Sequence, residues 1–180
     1  MRVWEWGFFM KILSYNLRGL GRWEKRREVQ RLVTSKSPLV FCIQDTKLQQ
    51  FDDNACRSLW GSESAGYSYR PSNGVVGGII TLWKSIEVDV SVTMSLENVL
   101  IIKGCFINSG VDFAIVNVYA PCDSGGRACL WERILTQTQN DVGCAWCSVG
   151  DFNGIRSESE RKSRVIGGSS ADVVAGLCRF

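Results

Sequence analysis

Between Tyr67 and Tyr119 the chain packs several short β-type segments close together, and this density restricts the fold more than any other feature. Tyr67-Ser68-Tyr69 precedes a turn near Pro71-Ser72-Asn73-Gly74, and Gly78 to Trp83, Val88 to Val92, Val99 to Ile107 and Phe113 to Tyr119 follow. Alternation or β-branched enrichment with short spacers predicts antiparallel hairpins. On either side the pattern turns mixed. Lys11 to Asn16 reads as a strand broken by Leu17-Arg18-Gly19, and Trp23 to Val33 as a helix with Trp23, Val29, Leu32 and Val33 on one face. Pro38 ends that helix, and Leu39 to Ile43 is a continuous buried-type strand closed by Gln44-Asp45-Thr46-Lys47. A short helix is expected near Asp53 to Trp60, another from Arg127 to Thr138, and a strand from Ala145 to Val149 leading into Gly150-Asp151-Phe152-Asn153. Arg156 to Arg164 has no apolar period and reads as a loop or a disordered stretch, while Ser170 to Phe180 has room for one short helix. This order implies an α/β architecture, a two-sheet β-sandwich flanked by helices.

The chain of 180 residues is long enough for one core. No apolar run approaches the roughly 20 residues that span a bilayer. Met1 to Met10 carries Glu5, lacks a signal-peptide core of adequate length and shows no cleavage site, so an intracellular protein of nucleus or cytoplasm, not secreted, is expected. The net charge of +3 permits a phosphate-bearing partner without demanding one. Of the eight cysteines, Cys42, Cys105 and Cys147 lie in apolar runs and read as small hydrophobes. Cys144 and Cys147 form a lone CxxC, which with no second pair does not make a tetrahedral zinc site, and Trp146 to Val149 reads as strand rather than a redox helix start. The histidine count is zero, so mechanisms that need imidazole as base, acid or ligand are excluded for these residues alone.

Four apolar strands end in polar residues: Asn16, Asp45, Tyr119, and Asp151 with Asn153. On one shared rim they would offer two carboxylates, two amides and a phenol, an oxygen-rich set that suits Mg²⁺. Each alone is equally a turn former at a strand end. The basic residues from Arg22 to Arg31 are either phosphate contacts or the solvated face of a helix interspersed with Glu24 and Glu28.

Taken together, Ser14-Tyr15-Asn16-Leu17-Arg18-Gly19, Gln44-Asp45-Thr46-Lys47, Gly77-Gly78 through Trp83, Asn117-Val118-Tyr119-Ala120-Pro121 and Gly150-Asp151-Phe152-Asn153 occur in one order. In that order they resemble the endonuclease/exonuclease/phosphatase superfamily, and within it the apurinic-type endonuclease domain of plant non-LTR (LINE-type) retrotransposons. The resemblance implies a DNase-I-like fold with an incomplete second half over residues 10–164, an N-terminal extension at 1–9 and a tail at 165–180. It implies Mg²⁺, or Mn²⁺, as cofactor and DNA or another phosphodiester as partner, with no membrane. By the same resemblance Asn16 and Asp45 sit in the metal site, and Tyr119 contacts the scissile phosphate or orients its neighbours. Asp151 positions or activates the attacking water, and Asn153 helps hold the phosphate. Two departures imply impaired cleavage. The family has glutamate where this chain has Asp45, and a displacement of about 1 Å costs on the order of 100-fold. The family's C-terminal Ser-Asp-His segment and an earlier aspartate are not found, and a missing general base costs about 10²–10⁴-fold. Strand edges left open by the missing portion would favour aggregation.

Overall fold

The computed structural model describes residues 2–6, 10–62, 64–74, 76–138, 144–154 and 177–179. In chain order these form β1 (Arg2–Trp6), β2 (Met10–Asn16), α1 (Trp23–Lys36), β3 (Val40–Gln44), α2 (Asp53–Trp60), β4 (Ala65–Arg70) and β5 (Ile79–Lys84). Then follow β6 (Val88–Leu96), β7 (Val99–Phe106), β8 (Val111–Tyr119), α3 (Ser124–Thr138), β9 (Ala145–Asp151) and β10 (Leu177–Arg179). One sheet has the order β1-β2-β3-β5-β4 and the other β10-β9-β8-β7-β6.

The alternation of each strand divides its residues between two cores. Ile12, Val40, Cys42 and Trp83 from the first sheet meet Ile102, Phe113, Ile115, Cys147 and Val149 from the second, and all are buried between the sheets. The neighbouring positions Leu13, Phe41, Ile43, Ile80 and Leu82 turn outward under α1 and α2 with Val29, Val33 and Leu59. On the far side Val99, Ile101, Val116 and Val118 pack against Leu130 and Ile134 of α3. Burying each such Leu, Ile or Val fully contributes about 1.5–3 kcal/mol, so the two-faced strands hold the layers together.

Two strand–helix–strand units position the rim. β2 and β3 pair in parallel across α1, with Asn16 opposite Gln44, and β8 and β9 pair in parallel across α3, with Tyr119 opposite Asp151. Parallel strands end on the same side, so each unit delivers two strand C-termini to one edge of the sandwich. Tyr15 anchors the first unit, its hydroxyl donating to Glu28 of α1 at 2.6 Å. α3 starts before the expected Arg127 because Asp123 accepts from the Gly126 N–H at 2.6 Å and so caps the first turn despite two glycines.

Two expectations change. Trp23 does not share the buried face of α1: at the first position of the helix it is 61% exposed, with Arg27 stacked over its ring at 5.3 Å. Part of the segment expected as a short C-terminal helix is instead a strand, β10, laid antiparallel on the open edge of β9, where ladder hydrogen bonds satisfy backbone groups that a helix would leave exposed. β1, for which the pattern offered no account of Trp4 or Trp6, pairs with β2. The expected loop at Arg156 to Arg164 lies outside the described residues. Among the described residues no helix is long and apolar enough to cross a membrane, and Cys147 is buried in β9 as a strand residue.

Candidate metal and phosphate site

The rim gathers all five strand-end residues, and the loops that follow the strands explain how. After β2 and β3 the backbones stay paired: the N–H groups of Leu17, Gly19 and Leu20 donate to the carbonyls of Gln44, Asp45 and Thr46 at 3.1, 2.7 and 2.8 Å. Asp45 and Lys47 adopt left-handed backbone (φ 51° and 57°), as do Arg18 (φ 56°) and Asn153 (φ 45°). Such conformations cost on the order of 1–3 kcal/mol for residues with a side chain and persist where surrounding contacts over-determine them. For the Asp45–Lys47 loop the determinant is Gly77-Gly78, whose carbonyls accept from the N–H groups of Lys47 (2.8 Å) and Thr46 (3.0 Å). Gly78 has φ +87°, and a Cβ there would lie 2.4 Å from the Thr46 hydroxyl, so only glycine lets the two loops close.

Beneath the rim the inter-sheet core turns polar. Asn117 is fully buried and donates to the Ile80 carbonyl (2.9 Å) and the Thr81 hydroxyl (3.1 Å) while accepting from Gln44 at 2.6 Å. Gln44 also donates to Ser14 at 3.2 Å. These residues tie the first sheet to the second directly under the site. Sequence reasoning quoted Gln44 and Asn117 within its motifs yet assigned them no role. Buried amides inside otherwise apolar strands were the available signal.

At the surface of this layer Asn16 and Asp151, distant in sequence, meet: the Asn16 amide donates to Asp151 Oδ2 at 2.5 Å. That bond fixes which way the amide points, and it leaves Asn16 Oδ1 buried with no hydrogen-bond partner. The other Asp151 oxygen accepts the Asn153 N–H at 3.0 Å, and the Asn153 side chain donates to the Ala120 carbonyl at 2.6 Å. Asn153 thus braces Asp151 in this geometry. Asp45 Oδ1 accepts the Gly77 N–H at 3.2 Å, and Oδ2 stands 4.0 Å from the Lys47 ammonium. Asp45 and Asp151 are only 7% and 8% exposed. Lys47 and Arg18 were quoted in the motifs without assigned roles; cations in the loop after a strand end were the signal for both.

Tyr119 reports the local charge. Burial first, then the Asp45 and Asp151 carboxylates and the Cys122 thiol, push its phenol from 10.0 up to about 12, with Arg18 opposing. The phenol is therefore a proton donor at neutral pH. Because the folded chain holds this proton more tightly than the unfolded chain, its contribution to stability is intact below pH 10.0 and is lost as pH rises towards about 12. A phenolate absorbance titration of the native protein against Tyr119→Phe is expected to lose a component titrating near pH 12. Loss of a component near pH 10.0 instead would place Tyr119 outside this field.

The donor set fits a hard divalent cation. An unpartnered buried amide oxygen costs about 1–3 kcal/mol and is relieved by a cation or its water. Among the described residues no three Asp, Glu, His or Cys side chains converge to hold a metal by themselves. An ion here would rest on Asn16 Oδ1 and carboxylate oxygen with retained waters, the pattern Mg²⁺ accepts.

No protein-family model matches the sequence, and no curated protein matches it. Solved structures do match the architecture. The AP endonuclease LMAP from Leishmania major superposes with a TM-score of 0.65 at 18% identity, covering 86% of this chain and 58% of its own. The 3′ phosphatase NExo from Neisseria, bound to a product DNA hairpin, gives 0.64 at 18%, covering 84% and 61%. An endonuclease/exonuclease/phosphatase family protein from Bacteroides thetaiotaomicron gives 0.62 at 14%, covering 80% and 63%. The chain spans about three fifths of the length of these proteins. Its paired sheets, flanking helices and common rim are those of the endonuclease/exonuclease/phosphatase, DNase-I-like, fold.

Proposed function

We propose that the chain is the metal-binding part of a Mg²⁺-dependent phosphodiester-cleaving domain, of the DNA endonuclease type carried by plant non-LTR retrotransposons, and that the 180-residue polypeptide turns over poorly. The observation that carries the reading is the junction of Asn16 and Asp151 from different sheets, at 2.5 Å, beside an unpartnered buried Asn16 oxygen. Retrotransposon origin is supported by the order and wording of the five motifs. DNA as substrate is supported by the product hairpin held by the Neisseria phosphatase of like fold.

A bound Mg²⁺ would supply Lewis acidity to the phosphoryl oxygens. The residues of the chain do the rest. Asn16 and Asp45 would hold such an ion, and Tyr119, protonated, donates a hydrogen bond to the phosphate as charge develops. Asp151 is aimed by Asn16 and Asn153 and accepts a hydrogen bond from the attacking water. With no histidine among these 180 residues, none of them supplies an imidazole.

Nicking of supercoiled plasmid by purified protein, with and without Mg²⁺ and beside Asp151→Ala, tests this. The expected result is a folded protein with nicking at least about 10²-fold below that of an intact domain, the scale of a lost general base. Robust Mg²⁺-dependent nicking that disappears in Asp151→Ala would refute the impairment. A second reading, a non-catalytic phosphate or nucleic-acid-binding remnant, is favoured by the Lys47 cation already paired with Asp45 on the rim. It predicts salt-dependent DNA binding with no product.

A further inference from the structure

The carboxylate expected to hold a divalent cation already has a cation beside it. Lys47 Nζ stands 4.0 Å from Asp45 Oδ2, and the Gly77 N–H holds Oδ1 at 3.2 Å, so both oxygens of Asp45 face donors of the chain itself. This placement is built into the backbone. Lys47 is held in a left-handed conformation, φ 57°, with its N–H on the Gly77 carbonyl at 2.8 Å. Its stem crosses Gly19, where an added Cβ would lie 3.6 Å from Lys47 Cδ. The two side chains differ in exposure: that of Lys47 is 45% exposed and that of Asp45 only 10%. The carboxylate is nearly buried and hydrogen-bonded to the Gly77 N–H, whereas the ammonium has open solvent to move into.

From this geometry we infer that Lys47 competes with the divalent cation for Asp45, acting as a resident counter-charge that must swing away before an ion seats. The inference rests on the metal-site reading above and adds a residue that tunes it. A second positive charge within a few ångströms of the first opposes ion entry by Coulomb repulsion. Without an ion, the ammonium keeps a nearly buried carboxylate from standing uncompensated. Lysine suits this exchange because its ammonium is a compact charge on a flexible four-carbon stem that re-enters water readily. Asp45 adds to the effect: a short carboxylate held by its own loop has little freedom to serve ion and lysine together. Once displaced, the ammonium stays in the loop after β3, on the side of the sandwich where a phosphate would meet it. By linkage, whatever draws the ammonium off Asp45 tightens the ion by the same factor.

The test is Mn²⁺ binding, followed by the electron paramagnetic resonance of the free ion, to the whole 180-residue protein and to Lys47→Met, Lys47→Arg and Asp45→Asn. Thermal unfolding checks that each variant is folded, and Lys47→Gln makes the same comparison if Lys47→Met is not. Lys47→Met keeps the stem and removes the charge. It is expected to bind Mn²⁺ about fivefold more tightly at low salt, the scale of a partly exposed ion pair, with the gain shrinking as salt is raised. Lys47→Arg is expected to match the native protein and Asp45→Asn to lose the ion. Equal or weaker binding by Lys47→Met, while Asp45→Asn abolishes binding, would overturn the competition and leave the metal site standing. Failure of both the native protein and Lys47→Met to bind Mn²⁺ would overturn the metal site and the competition with it. Binding by Lys47→Met alone would support the competition in its strongest form.

Discussion

Gly150→Ala is expected to destabilise the fold by about 3 kcal/mol or more, the range of a forced backbone conformation combined with overpacking. Gly150 has φ +143°, and a Cβ there would lie 2.0 Å from the Val118 carbonyl oxygen and 2.7 Å from the Val118 nitrogen. Both obstacles are backbone, so no rotamer change relieves them. Val118 is the residue opposite Gly150 in the parallel β8–β9 pair, and alanine must pry those strands apart one step before Asp151. The site and the second sheet therefore fail together. In urea unfolding, with a slope of about 1–3 kcal/mol/M for a domain of this size, the midpoint is expected to fall by more than about 1 M. A midpoint within about 0.3 M of the native value would show that the close approach is absent.

Asn117→Leu is expected to cost a similar amount, about 3 kcal/mol, for a different reason. The variant removes the partner of the Gln44 amide, the Ile80 carbonyl and the Thr81 hydroxyl, all inside the inter-sheet core. A buried polar group left unpaired costs about 1–3 kcal/mol, whereas removing both members of a pair is far milder. Adding Gln44→Leu should therefore cost less than the two single losses summed, with a coupling of about 1 kcal/mol or more by double-mutant cycle. Strict additivity would mean that the sheets are joined by apolar packing alone. Both predictions concern the layer immediately beneath the rim, so either variant should also reduce Mn²⁺ binding.

Much of the fold was legible because the strands are short and punctuated. Asp53–Trp60 was bounded by its acidic N-cap, Asp52 accepting from Ala55 at 2.8 Å, and α1 by Pro38 beyond a left-handed Ser37. Trp23 was misplaced because periodicity assigns a helix face without knowing how far along the helix the buried stripe, Val29 and Val33, extends. β10 was misread because three residues of strand have no period of their own; their conformation comes from the edge of β9. The candidate site was legible as a set of residue types at strand ends, yet nothing local distinguished those residues from turn formers.

The sequence alone determined the order of elements, the carboxylates, amides and phenol at the polar strand ends and the lack of histidine among these 180 residues. Only the tertiary structure decided which residues meet. The parallel registers of β2 with β3 and of β8 with β9 bring four strand ends to one rim. There Asn16 reaches Asp151, Lys47 pairs with Asp45, and an amide oxygen is left without a partner. The physical reason is that local propensity and alternation act over a few residues, whereas a site is made by contacts between residues remote in sequence. Those contacts exist only once the two sheets have buried their apolar faces against each other.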